Sequence, residues 1–69
     1  MFTWGIIGTG NIARTVAEEI TKGGHRIGGV FSRSSGRAES FAADFGAVRY
    51  PDLGELLRSS VDGMYIAAP

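Results

Sequence analysis

The fold of this chain is decided by the stretch I-I-G-T-G-N-I-A at Ile6–Ala13. An apolar segment, Phe2–Ile7, leads into it, and an amphipathic segment, Asn11–Lys22, continues from it. A G-x-G-x-x-A pattern between a strand and a helix is typical of the first turn of a dinucleotide-binding βαβ unit. The sequence therefore predicts a strand, a turn at Gly8–Gly10 (the glycine turn) and a helix in this order.

The small residues of this turn have separable physical roles. Gly8 allows a tight turn off the strand, Gly10 lets a pyrophosphate approach the backbone, and Ala13 lets the helix pack close to the sheet. Amide groups at the start of the helix would then point at the phosphates, aided by the helix dipole. Two other interpretations stay open: a tight turn that binds nothing, and a site for S-adenosylmethionine.

The rest of the chain alternates short apolar segments with amphipathic ones, which predicts an α/β fold with a parallel sheet. We expect a Rossmann-like, doubly wound sheet with strand order 3-2-1-4, truncated after its fourth strand. Residues 1–69 would be the N-terminal part of a dinucleotide-binding domain. The predicted strands are Phe2–Ile7, Arg26–Phe31, Val48–Tyr50 and Asp62–Ala67, and the predicted helices are Asn11–Lys22, Gly36–Phe45 and Leu53–Ser59.

Helical spacing also predicts the buried faces and the caps. Asn11 and Asp52 are candidate N-caps, and glycines follow the first two helices. The predicted inward residues are Ile12, Val16, Ala17 and Ile20 in the first helix, Ala38, Phe41, Ala42 and Phe45 in the second, and Leu53, Leu56 and Leu57 in the third.

Composition excludes several classes of function. The chain has 69 residues, no Cys, one His, and 7 Lys/Arg against 7 Asp/Glu. These counts argue against a disulfide scaffold and a metal site, and the balanced charge argues against nucleic acid or an anionic membrane as a partner. No apolar run approaches the ~18 residues of a membrane-spanning helix, and we expect a cytoplasmic location.

The end of the second strand bears on the choice of cofactor. An NAD site usually has Asp or Glu there, about 20 residues beyond the glycines, to bind the ribose hydroxyls. This chain has Ser32 and Arg33 instead, with Arg37 four residues further on. A carboxylate would repel a 2′-phosphate, whereas these side chains can bind one. The sequence therefore favours NADP and leaves NAD possible.

An ordered series of motifs resembles the N-terminal domain of the Gfo/Idh/MocA oxidoreductases, the glucose–fructose oxidoreductase and inositol dehydrogenase group. The resemblance covers almost the whole chain. Its motifs are I-I-G-T-G-N-I-A at Ile6–Ala13, S-R at Ser32 and Arg33, R-A-E-S-F-A-A-D-F-G at Arg37–Gly46, L-G-E-L-L at Leu53–Leu57 and V-D-G-M-Y-I-A-A-P at Val61–Pro69.

The resemblance implies hydride transfer between a nicotinamide cofactor and a sugar, cyclitol or related carbonyl compound. It implies cofactor contacts at the glycine turn and the start of the first helix, and ribose or 2′-phosphate contacts after the second strand. It also implies that the residues after the fourth strand lie near the nicotinamide. These residues are Gly8, Thr9, Gly10, Asn11 and Ile12, then Ser32, Arg33 and Arg37, then Ala67, Ala68 and Pro69.

The family's catalytic E-K-P motif has no counterpart in this chain, nor has the second domain that holds the substrate and often mediates homo-oligomers. Lys22 and His25 are expected at the far end of the sheet, and Tyr65 inside a strand. We therefore assign no catalytic residue and expect this chain alone to be inactive. An alternative is a non-catalytic dinucleotide-binding or redox-sensing module.

Overall fold

The computed structural model describes residues 1–67, within which four parallel strands form one sheet in the order β3-β2-β1-β4. The α/β class and the strand order are as predicted. In chain order the elements are β1 (Thr3–Ile7), α1 (Asn11–Lys22), β2 (Arg26–Phe31), α2 (Ser35–Phe45), β3 (Val48–Arg49), α3 (Leu53–Leu57) and β4 (Gly63–Ile66).

The central strand β1 is paired on both sides. Ile6 lies opposite Val30 of β2 and Tyr65 of β4. Backbone hydrogen bonds continue past the strand ends, from the Gly8 amide to the Phe31 carbonyl at 2.9 Å and from the Ala67 amide to the Ile7 carbonyl at 2.8 Å. Because the strands are parallel, the segments that follow β1, β2 and β4 meet at the same edge of the sheet.

One face of the sheet packs against α1 and α2. Ala13 and Ala17 of α1 and Phe41 of α2 are fully buried there, against Ile6 and Val30. Two alanines at the closest approach let α1 lie directly on the strands, because a methyl group adds little thickness between helix and sheet.

The predicted inward face of α1 was therefore partly wrong. Ala17 is buried, whereas Val16 and Ile20 are only half-buried, and 67% of Ile12 is exposed. The buried stripe follows Ala13 and Ala17, four residues apart, and Ile12 lies to one side of it. In α2 the prediction was correct for Ala38, Phe41 and Ala42, and Phe45 is half-buried.

The two helices on this face are also joined by a side-chain contact. Arg14 of α1 forms an ion pair with Asp44 of α2 at 2.8 Å, and its guanidinium carbon lies 5.3 Å from the centre of the Phe41 ring. An Arg above an aromatic ring is attracted to the ring face as well as to the carboxylate. The contact links α1 to α2 on this face of the sheet.

The opposite face is built on glycines. Leu56 of α3 is fully buried there, and a Cβ atom at Gly29 would lie 2.8 Å from Leu56 Cδ1 and 2.7 Å from Tyr50 Cε2. Only Leu56 of the three predicted inward leucines is buried, since α3 is a short helix that ends at Leu57, before the predicted Ser59. Leu57 is 59% exposed and Leu53 36%.

The helix starts differ from prediction in two places. The N-cap of α1 is Gly10, which has no side chain to accept a hydrogen bond, and Asn11 is the first helical residue. Helix α2 begins one residue earlier than predicted, because the Ser34 side chain accepts a hydrogen bond from the Arg37 amide. The predicted cap of α3 is confirmed: Asp52 Oδ1 accepts from the Gly54 amide at 3.2 Å.

The remaining boundary differences are small. Strand β1 begins at Thr3, β3 ends at Arg49, and β4 covers Gly63–Ile66. At the amino end of the sheet, His25 Nδ1 accepts a hydrogen bond from the Phe2 amide at 3.0 Å. Across residues 1–67, no helix has the length and apolar character needed to cross a membrane.

The close packing of Leu56 and Tyr50 on Gly29 can be tested by substitution. We expect Gly29→Ala to lower the free energy of unfolding by about 1–3 kcal/mol, because the new methyl group must displace the buried Leu56 and the ring of Tyr50. Thermal unfolding followed by circular dichroism measures the change.

Gly36→Ala is the matched control. Gly36 lies in α2, and a Cβ atom there would meet nothing within 4 Å. This substitution should raise the free energy of unfolding by about 0.4–1 kcal/mol, since alanine loses less backbone entropy in a helix. Equal stability of the two variants would contradict the close packing at Gly29.

Candidate functional site

A cleft of about 520 Å³ opens at the carboxyl edge of the sheet. This volume lies within the range of about 300–1,000 Å³ that is usual for small-molecule sites. The glycine turn, the loop after β2, the start of α3 and the residue after β4 contribute to its walls. The described lining residues are Ile7, Gly8, Thr9, Gly10, Phe31, Ser32, Arg33, Arg37, Leu53 and Ala67.

The glycine turn shapes the floor of the cleft. Gly8 has a φ of 108°, a left-handed conformation that side chains disfavour. A Cβ atom at Gly10 would meet no protein atom within 4 Å, so this position leaves the backbone open to the cleft. Since no side chain caps α1, the amides of its first turn are free to bind an anion, which the helix dipole also favours.

Positive charge lines the side of the cleft beside β2. Arg33 and Arg37 both contribute to the wall. Among residues 1–67, neither arginine forms an ion pair. The described lining contains no Asp or Glu. An anionic ligand would therefore meet two guanidinium groups and no opposing carboxylate here.

Two hydroxyl groups meet between the glycine turn and the loop after β2. Thr9 Oγ1 donates a hydrogen bond to Ser32 Oγ at 3.2 Å, and the Ser34 amide donates to the same oxygen at 3.3 Å. Serine hydroxyls commonly accept from the amide two residues on, so the sequence could have indicated the second bond. The first joins residues 23 positions apart, and sequence spacing gave no signal of it.

The structure brings together most of the residues singled out from the sequence. Seven of them line the cleft: Gly8, Thr9, Gly10, Ser32, Arg33, Arg37 and Ala67. Asn11 and Ile12 belong to the first turn of α1 but not to the lining, and Ile12 is mostly exposed. Ala68 and Pro69 lie outside the described residues.

Sequence reasoning missed three apolar lining residues, Ile7, Phe31 and Leu53. Ile7 and Phe31 end β1 and β2, so their place at the carboxyl edge could have been read from the strand boundaries. Leu53 was predicted to point inward, whereas it is exposed, begins α3 and lines the cleft. Residues 1–67 contain no group of three or more His, Asp and Glu side chains that could hold a metal ion.

Known structures share this fold. The chain superimposes on the WlbA dehydrogenase from Bordetella pertussis, in complex with NADH and UDP-GlcNAcA, with a TM-score of 0.91 at 20% identity, over 99% of this chain and 21% of that protein. For myo-inositol dehydrogenase from Lactobacillus casei, in complex with NAD(H) and myo-inositol, the TM-score is 0.89 at 27% identity. This match covers 99% of this chain and 22% of that protein.

A third structure, the UDP-N-acetylglucosamine 3-dehydrogenase GnnA from Acidithiobacillus ferrooxidans, matches with a TM-score of 0.83 at 30% identity, over 97% of this chain and 22% of that protein. This chain thus spans about a fifth of the length of these structures. No curated protein sequence matches it significantly.

The family assignment rests on the sequence match as well as on the fold. The model of the Gfo/Idh/MocA oxidoreductase family, for the part described as the NAD-binding Rossmann fold, matches residues 2–69. The matched range includes the glycine turn, the cleft residues Arg33 and Arg37, and all four strands. This chain belongs to the Gfo/Idh/MocA oxidoreductase family and forms its NAD-binding Rossmann fold.

Proposed function

We propose that this chain is the NADP(H)-binding part of an oxidoreductase that transfers hydride to or from a sugar, cyclitol or related substrate. The observation that carries the proposal is the composition of the cleft. Its described lining includes Gly10, which precedes the uncapped first turn of α1, together with Ser32, Arg33 and Arg37. The same lining contains no carboxylate. We place the substrate on a further domain of a cytoplasmic, homo-oligomeric parent protein. This chain alone is then not catalytic.

The glycine turn fits the pyrophosphate of a dinucleotide. A Cβ atom at Gly10 would meet nothing within 4 Å, so phosphate oxygens would have room to approach the backbone there. The amides at the start of α1 would donate to those oxygens, and no acidic residue in the first turn of α1 would repel them. These features serve NAD and NADP equally, because both carry the pyrophosphate.

The loop after β2 favours the phosphorylated ribose. A 2′-phosphate at this corner would accept hydrogen bonds from Ser32 and pair with Arg33, and Arg37 would add a second positive charge. An NAD site instead uses a carboxylate to bind the ribose hydroxyls, and the described lining has none. WlbA and the inositol dehydrogenase were solved with NADH and NAD(H), so NAD is the alternative ligand.

The cofactor supplies the hydride chemistry when bound. The residues of this chain would bind and orient it, and Ala67, Ala68 and Pro69 are the proposed contacts on its nicotinamide side. Sugar nucleotides and a cyclitol are named with the similar structures, which supports polyhydroxylated substrates for the parent. The acid or base for the reaction would come from outside this chain.

The first test is a comparison of two cofactors on one variant. We expect Arg33→Ala to weaken NADPH binding about 10- to 100-fold, because it removes a charge-assisted hydrogen bond to the 2′-phosphate, and to change NADH binding much less. Fluorescence titration of NADPH and NADH measures both affinities.

Arg26→Ala is the matched control, since Arg26 is an exposed arginine at the start of β2, at the other end of the sheet. It removes the same charge and should leave both affinities unchanged. Tighter binding of NADH than of NADPH by the unmodified protein would contradict the NADP assignment, as would an Arg33→Ala variant that binds NADPH normally.

A second test addresses the pyrophosphate. The backbone of Gly10, with φ of −76°, is accessible to alanine, so Gly10→Ala should fold and yet place a methyl group in the cleft. We expect it to weaken NADPH and NADH alike, by at least about tenfold, because phosphate loses its approach to the amides.

Gly36→Ala again supplies the control, because its added methyl group meets open space outside the cleft lining. It should bind both cofactors as the unmodified protein does. If Gly10→Ala retains full affinity for both cofactors while its circular dichroism spectrum is unchanged, the pyrophosphate does not lie at Gly10.

A further inference from the structure

A chain of hydrogen bonds runs from the glycine turn to the start of α2. Thr9 Oγ1 donates to Ser32 Oγ at 3.2 Å, and the Ser34 amide donates to the same oxygen at 3.3 Å. Ser34 Oγ in turn accepts from the Arg37 amide at 3.4 Å. Through these bonds the position of Thr9 is linked to the two elements that carry the cationic side of the cleft.

The two bonds to Ser32 decide what its hydroxyl can offer a ligand. A serine hydroxyl has one proton to donate and two lone pairs that accept. With Thr9 and the Ser34 amide as the donors, both lone pairs are occupied, and the proton is the part of the Ser32 hydroxyl left for a ligand. Ser32 is half-buried and lines the cleft, so its hydroxyl is within reach of a ligand bound there.

We propose that Thr9 is a positioning residue that makes Ser32 a donor-only group and so strengthens the selection of a phosphorylated ribose. The proposal rests on the proposed function and deepens it. A phosphate oxygen only accepts hydrogen bonds and matches a donor-only hydroxyl. A ribose 2′-hydroxyl both donates and accepts, and Ser32 can meet only one of these capacities.

Polarisation acts in the same direction. An oxygen that already accepts hydrogen bonds donates a stronger one, and the gain is largest toward an anion. Thr9 also restricts the rotation of the Ser32 hydroxyl, so less entropy is lost when the ligand binds.

A purely structural role for the Thr9 bond is the competing explanation. The two loops are already held together by the backbone bond from the Gly8 amide to the Phe31 carbonyl at 2.9 Å, one residue before each hydroxyl. A second brace at the same place adds little to the loop geometry. A structural brace would in any case affect both cofactors alike, whereas the proposal predicts a change in their ratio.

The test measures the ratio of NADPH to NADH affinity in the protein and its variants. Thr9→Val keeps the shape of the side chain and removes the hydroxyl, and we expect it to lower the ratio about three- to tenfold through weaker NADPH binding. Thr9→Ser keeps the hydroxyl and should retain the ratio of the unmodified protein. Thr9→Ala is the second probe if Thr9→Val does not fold.

A double variant tests whether Thr9 acts through Ser32. Ser32→Ala should lower the ratio by itself, and adding Thr9→Val to it should lower the ratio no further, since the hydroxyl that Thr9 orients is gone. Thr21→Val is the matched control: its hydroxyl bonds only backbone carbonyls of α1, Ala17 O at 3.1 Å and Glu18 O at 2.9 Å. This control should leave the ratio unchanged.

The outcomes separate this proposal from the proposed function. If the unmodified protein prefers NADPH and loses the preference in Arg33→Ala, but Thr9→Val retains the full ratio, the role of Thr9 is overturned and the NADP assignment stands. Equal weakening of both cofactors by Thr9→Val, or additive effects of Thr9→Val and Ser32→Ala, also overturns it. If the unmodified protein prefers NADH, both proposals fail.

Discussion

The turn at Gly8 is the constraint on which the rest of the structure depends. With a φ of 108°, Gly8 redirects the chain from the central strand into α1 within a few residues. The close contact of α1 with the sheet then requires the methyl side chains of Ala13 and Ala17. Because the turn is so short, the start of α1 lies at the carboxyl edge of the sheet, where its free amides can contribute to a binding site.

Size complementarity on the two faces holds this arrangement. Alanines bring α1 close on one face, and Gly29 leaves room for Leu56 and Tyr50 on the other. The parallel strand order then brings the loops after β1 and β2 side by side, with Thr9 bonded to Ser32. The same packing that stabilises the sheet therefore places the helix start and the arginines around one cleft.

The sequence was sufficient for the elements whose signals are local. The glycine pattern and the helical spacing predicted a helix over Asn11–Lys22, although its N-cap is Gly10 and not Asn11, and the alternation of strands and helices predicted the sheet order. The predictions were wrong where tertiary packing decides which side chains are buried. Ile12 looked inward by spacing but lies beside the alanine stripe, and Leu57 is exposed because α3 is too short to bury more than Leu56. The bond between Thr9 and Ser32 joins distant segments, which no spacing rule could indicate.

In the proposed binding mode, the cleft holds a dinucleotide with its pyrophosphate at the start of α1 and its 2′-phosphate beside Ser32 and Arg33. A crystal structure of the protein with NADPH would show these contacts. We expect phosphate oxygens within hydrogen-bond distance of the amides at Gly10 and the first turn of α1, and the 2′-phosphate in contact with Ser32 Oγ and the Arg33 guanidinium. A cofactor bound elsewhere, or a 2′-phosphate directed into solvent away from both side chains, would contradict it.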